Sequence, residues 1–88
     1  MNDSGGNNEV TIGKSNRCVI QMNWDNSENI ADMQAKLFID PKRRVPMLKV
    51  LENGIFYDGK EGRKEELHPL KHNLKFKIGN TDFQYIEK

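Results

Sequence analysis

Leu74-Lys75-Phe76-Lys77-Ile78-Gly79-Asn80-Thr81-Asp82-Phe83-Gln84-Tyr85 reads as two strands joined by a turn. Leu74, Phe76 and Ile78 alternate with Lys75 and Lys77, a period of two that sends apolar side chains to one face and cations to the other. Gly79-Asn80-Thr81 supplies a three-residue hairpin connection, after which Phe83 and Tyr85 resume the apolar face.

The same kind of short run recurs along the chain between Gly, Asn, Asp and Pro. The expected strands are Glu9–Gly13, Cys18–Met22, Ala35–Asp40, Met47–Leu51, Ile55–Tyr57, Leu74–Ile78 and Asp82–Ile86. Short strands at this spacing predict an all-β fold, a sandwich or barrel. Alternation puts Cys18, Ile20 and Met22 on one face and Ala35, Leu37 and Ile39 on another, leaving Val19, Phe38, Lys36 and Asp40 outward. A competing pattern exists at Ile30, Met33 and Leu37, spaced i, i+3 and i+7, with Ser27 as a cap for a helix over 28–37. Residues 58–73 are charged, with Leu67 and Leu70 as their only anchors, and read as a surface loop.

The chain has 88 residues, enough for one domain and too few for a multi-domain enzyme. With 35% hydrophobic residues it builds a thin core. Fourteen Lys and Arg against 13 Asp and Glu give a net charge of +1, without the basic excess of a dedicated nucleic-acid domain. No apolar run approaches the ~20 residues that span a bilayer, and the N-terminus lacks the apolar stretch of a signal peptide. Residues 1–8 are polar and read as a flexible lead-in to one folded unit over 9–88. The single cysteine, Cys18, makes no intramolecular disulfide and points to a reducing, cytoplasmic setting. A larger parent protein, membrane-anchored or not, is left open.

Few residues offer chemistry. Cys18 falls inside a strand pattern on an inward face, where a cysteine is packing material rather than a nucleophile. His68 and His72 have a helical metal-ligand spacing, but Pro69 lies between them and no companion ligand stands nearby in sequence, so they read as solvated loop histidines. Lys42-Arg43-Arg44 follows Asp40-Pro41 and reads as a charged turn. More informative is Thr11-Ile12-Gly13-Lys14-Ser15-Asn16-Arg17-Cys18, a strand end followed by Gly, cation and hydroxyl, which can cradle an anion. It is not a P-loop, because Asn8 stands where that motif needs a glycine. No acid/base pair or metal set is recognisable, so no enzyme, cofactor or metal is expected.

Three pieces in order, Thr11 to Ile20, Ile30-Ala31-Asp32-Met33-Gln34-Ala35-Lys36-Leu37 and Leu51-Glu52-Asn53-Gly54, together resemble a forkhead-associated (FHA) domain. In that family the pieces usually read Ile-Gly-Arg-Ser then Cys-x-Ile, Ser-Arg-x-His-Ala, and Asn-Gly-Thr, and the segment from Leu74 to Phe83 looks like the family's penultimate hairpin. The resemblance covers about residues 10–86. It implies an all-β fold, a small antiparallel β-sandwich of the FHA/SMAD-like kind, whose loops at one end form the ligand surface for phosphothreonine peptides. The family's phosphate-contacting Arg and Ser and its peptide-holding Asn carry over to Lys14, Ala31 and Asn53.

Only Asn53 is retained. Lys14 keeps the charge and loses the bidentate fork. Ala31 has no hydroxyl, and a carboxylate at Asp32 placed 5 Å from a phosphate dianion would repel it by roughly 3–7 kcal/mol. Gln34 replaces the family's structural His, still able to bond between loops, and Ile55 replaces the Thr. These departures point to a shifted or lost site. Gly13, Asn53 and Gly54 also have a plain turn-shaping reading, since Gly and Asn tolerate positive φ.

The expectation is a non-catalytic protein-interaction module recognising a partner protein or phosphothreonine peptide through the loops around 13–17, 23–33 and 51–54. Its candidate contacts are Lys14, Ser15, Arg17 and Asn53, with Gly13 and Gly54 shaping the turns. The alternative is a structural domain that assembles with its own copies or with flanking domains of a larger parent, using outward Val19, Phe38 and Met47. Nucleic-acid binding through Lys42–Arg44, Lys75 and Lys77 is disfavoured by the charge balance, and no direct membrane insertion is expected.

Overall fold

Among the described residues the chain folds into nine short strands: β1 (Val10–Gly13), β2 (Ile20–Gln21), β3 (Ala35–Ile39), β4 (Pro46–Val50), β5 (Ile55–Tyr57), β6 (Lys60–Glu61), β7 (Leu67–Pro69), β8 (Lys75–Ile78) and β9 (Thr81–Gln84). The structure is a computed structural model describing residues 9–57 and 59–87; the expected lead-in over 1–8 lies outside the described residues. One sheet has the order β2-β1-β3-β4-β7 and the other β6-β5-β8-β9. Every pair is antiparallel except β1 and β2, which run parallel with Ile12 opposite Ile20. Ile12, Ala35, Leu48 and Val50 of the first sheet meet Ile55, Tyr57, Phe76 and Ile78 of the second in a single core. This is a β-sandwich.

Register follows from that core. Ile12, Leu48, Ile55 and Ile78 are fully buried, each stabilising the fold by about 1.5–3 kcal/mol. A one-residue slip would turn every one of them outward. On β8, Phe76 and Ile78 are buried while Lys75 and Lys77 are exposed, as the alternation predicts.

Several expectations are corrected. The hairpin loop has two residues, since Ile78 stands opposite Thr81. Gly79 alone takes positive φ, at 60°, as a type II′ turn requires. Thr81 joins the strand because its hydroxyl is held by Asp25. No helix forms over 28–37, because the carbonyls a helix would use are spent elsewhere: Ala31 O accepts from Lys14 N and Asp32 O from Ser15 N. The expected strand Cys18–Met22 shrinks to Ile20–Gln21; Cys18 stays buried in the preceding turn, its thiol 3.1 Å from Asp32 O.

Residues 58–73 are not a plain loop, since they contribute β6 and β7. His68 sits in β7 with its ring edge-on to Tyr57, centroids 4.1 Å apart, whereas His72 is exposed and accepts a hydrogen bond from Glu87 N. On the outer face of the first sheet, Phe38, Met47 and Pro69 stand opposite one another across three strands. Met47 does face outward but is buried there rather than exposed, and Phe38 is half-buried beneath the Lys36 ammonium. Ile39 is exposed, because β1 reaches β3 no further than Leu37. Val19 is exposed, as expected. Lys42-Arg43-Arg44 form a solvated turn in which the Asp40 carboxylate accepts from the amides of Lys42 and Arg43.

Candidate functional site

Gly13 ends β1 where two loops touch. Its φ is not positive; glycine is needed for space, since a Cβ there would lie 2.1 Å from Asp32 O. That closeness lets Lys14 N and Ser15 N bond the carbonyls of Ala31 and Asp32 at 3.0 and 3.1 Å. The turn that follows is tied to itself: Ser15 Oγ accepts from Arg17 N at 3.1 Å, and Ser15 O from Cys18 N. Arg17 and Asp32 are exposed. Lys14 bends inward and donates through Nζ to the backbone carbonyl of Asp25.

Gln34 is the hub of the loop end and is fully buried. Its Oε1 accepts from Ala31 N at 2.7 Å, and its Nε2 donates to Glu52 O at 2.8 Å and Asn53 O at 2.7 Å. Its backbone N bonds Ile12 O, and its backbone O accepts from Leu51 N. One side-chain amide thus ties the 31–34 segment to the 51–54 loop, matching one acceptor and two donors to three backbone groups. Gly54 leaves this junction at φ 115°, a conformation that favours glycine. Asn53 itself has no positive φ; its Oδ1 accepts from Lys64 N at 3.2 Å, pinning the 62–66 segment.

A second hub was not legible as a site residue in the sequence. Asp25 is 4% exposed. Its Oδ1 accepts from Ser27 N at 2.9 Å, and its Oδ2 accepts from Asn80 N at 2.8 Å and Thr81 Oγ1 at 2.7 Å. These bonds, those of Ser27 first, hold its carboxyl below the usual carboxylate range. Thr81 Oγ1 in turn accepts from Trp24 Nε1 at 2.9 Å. The 23–29 loop is therefore anchored to the β8–β9 turn. Asp25 with Ser27 two residues on is an Asx-turn signal, but Asn80 and Thr81 lie more than fifty positions away in sequence.

Lys14, Ser15 and Arg17 thus share one turn and Asn53 stands in the loop joined to it through Gln34. Between the 27–29 and 53–54 segments runs an open groove of about 410 Å³ lined by Ser27, Asn29, Asn53, Gly54 and Asn80. Away from this end, Tyr57 OH donates to Glu66; burial first and this bond second push the phenol up, and the same bond draws the Glu66 carboxyl down.

The FHA domain family matches residues 10–79. The chain belongs to the FHA domain family. FHA domains are phosphopeptide-binding modules for protein interaction, not catalysts. The fold is similar to that of Mycobacterium tuberculosis EmbR, solved in complex with a low-affinity phosphopeptide: TM-score 0.71 and 15% identity over 89% of this chain and 19% of EmbR. It is similar to the N-terminal FHA domain of S. cerevisiae Rad53p, solved with a phosphothreonine peptide: TM-score 0.70 and 14% identity over 86% of this chain and 60% of that one. An FHA domain from Chlamydia trachomatis gives a TM-score of 0.68 at 18% identity, over 91% of this FHA domain and 77% of that chain. This FHA domain therefore spans about a fifth of EmbR's length. No curated protein sequence matches it.

Proposed function

We propose that this FHA domain captures a partner peptide across the loops at 13–17, 23–33 and 51–54, with Ser15, Arg17 and Asn53 on the contact surface and Lys14 bracing the 23–29 loop behind it. The observation that supports this reading best is the buried Gln34 amide, which holds two of these loops in a fixed relation before any ligand arrives. Preorganisation of this kind reduces the ordering cost of binding. Phosphothreonine is the ligand class the family brings, and Arg17, exposed beside Ser15, is the cation left to meet it, because Lys14 is turned toward Asp25.

A second reading rests on that same Lys14 placement together with Ala31 and Asp32: a loop end that binds protein without phosphate, or a structural domain of a larger parent. An amide-resolved NMR titration with a degenerate phosphothreonine library and its unphosphorylated counterpart separates the two. Phosphate-dependent shifts at Gly13–Arg17, Ile30–Met33 and Leu51–Gly54, lost in Arg17→Ala, are expected. No response to either library at millimolar peptide would overturn peptide capture at this surface, and equal response to both would overturn the role of phosphate.

A further inference from the structure

We propose that Glu61 and the ring of Phe56 form a cation-selecting pocket in the ligand groove, so that the partner peptide carries an Arg or Lys beside its captured segment. The inference rests on peptide capture at this end and names the side chain the groove prefers. Ser27, Asn29, Asn53 and Asn80 give the groove hydroxyl and carboxamide walls, neutral groups that bond donors and acceptors alike. Glu61 is the one ionisable residue among the described residues that line it. A carboxylate in otherwise neutral walls sets the sign of the guest.

Glu61 and Phe56 meet because β5 and β6 pair. They stand directly opposite each other, which sets their Cβ atoms about 4.5–5.5 Å apart on one face of the sheet. Phe56 is 44% exposed and Glu61 is exposed, so both are reached from the groove they line. An Arg or Lys laid along the ring packs its methylenes there and brings its cation over the aromatic face. Its head then meets the Glu61 carboxylate. Arg fits better than Lys, since a planar guanidinium both stacks on a ring and bonds a carboxylate through two N–H groups.

The neighbouring charges make the groove the way in. Across the outer face of the second sheet the row reads Glu61, Phe56, Lys77, Asp82, so a cation arriving from the β8 side meets Lys77 first. Lys60 and Arg63 line a second hollow of about 400 Å³ and not the groove; Glu61 stands on the ridge between the two. An acidic guest in the groove would face Glu61 with no cation among the described lining residues.

Phosphothreonine peptides in which one flanking position at a time is Arg, Ala or Glu, read by fluorescence polarisation with the full chain, test the pocket. The same set without phosphate runs alongside, because Glu61 acts on the flanking side chain whether or not phosphate contributes. One position should favour Arg over Ala by about 3- to 30-fold, the sum of an exposed ion pair and a cation–π contact, with Glu weakest. Glu61→Gln and Phe56→Leu should each cut that preference by about 2- to 5-fold. Asp82→Asn removes the same charge at the far end of the row and should leave it unchanged. Glu61→Lys should turn the preference at that position toward Glu. Amide spectra check that each variant is folded. Arg favoured at no position, or still favoured by Glu61→Lys, overturns the inference and leaves peptide capture standing. A chain that binds no peptide of either set overturns capture itself, and the pocket with it.

Discussion

Replacing Gln34 by Leu keeps the volume of a fully buried side chain and removes all three of its polar contacts. Each bond of this kind has a net worth of about 0.5–1.5 kcal/mol, and a buried donor left without a partner costs about 1–3 kcal/mol. Ala31 N–H is half-buried and takes most of that penalty, while Glu52 and Asn53 are exposed and water can reach their carbonyls. The loss works out at roughly 2–4 kcal/mol, a large share of the 5–15 kcal/mol that stabilises a typical domain. Gln34→His should recover part of it, since a neutral imidazole offers one acceptor for Ala31 N and one donor for a single carbonyl.

That partial rescue carries a pH signature. Protonation would turn the acceptor into a donor facing Ala31 N–H, so the folded-state pKa of the new histidine would fall below its ordinary value of about 6.5. Its contribution is then present above that pH and lost as pH falls through the folded value. Urea unfolding followed by Trp24 fluorescence measures both variants, and amide exchange at 13–17 and 51–54 reports the loops. Gln34→Leu within about 0.5 kcal/mol of the parent, the ordinary spread of a surface change, would refute the hub role of Gln34.

Gly13→Ala forces a Cβ to 2.1 Å from Asp32 O, so the 31–33 segment must move, at a cost of about 1–3 kcal/mol read from the shift of the urea midpoint; an unchanged midpoint would show that the contact yields freely. Asp25→Asn should flatten the acid limb of stability against pH. The Asp25 carboxyl is held low by Ser27, Thr81 and Asn80, so its contribution is present above the unfolded carboxylate value of about 3.9 and lost as pH falls toward the folded one. Acid unfolding curves that superimpose for parent and variant would remove Asp25 from that role.

The alternation around Phe76 and Ile78, the glycines and the order of the FHA-like pieces were legible in the sequence alone: an all-β sandwich, and Gln34 as a bond between its loops. Period-two patterning needs no partner to be read, because each strand declares which face must leave water. How distant polar groups pair is set by the folded chain. Asp25 reaches Asn80 and Thr81 across more than fifty residues, Lys14 turns inward to the Asp25 carbonyl, and the carbonyls of Ala31 and Asp32 go to the β1–β2 turn instead of a helix. β6 and β7 are likewise invisible in a charged stretch, since two- and three-residue strands exist only through the neighbours they pair with. A hydrogen bond is specified by two ends brought together by the folded chain, and a sequence shows each end alone.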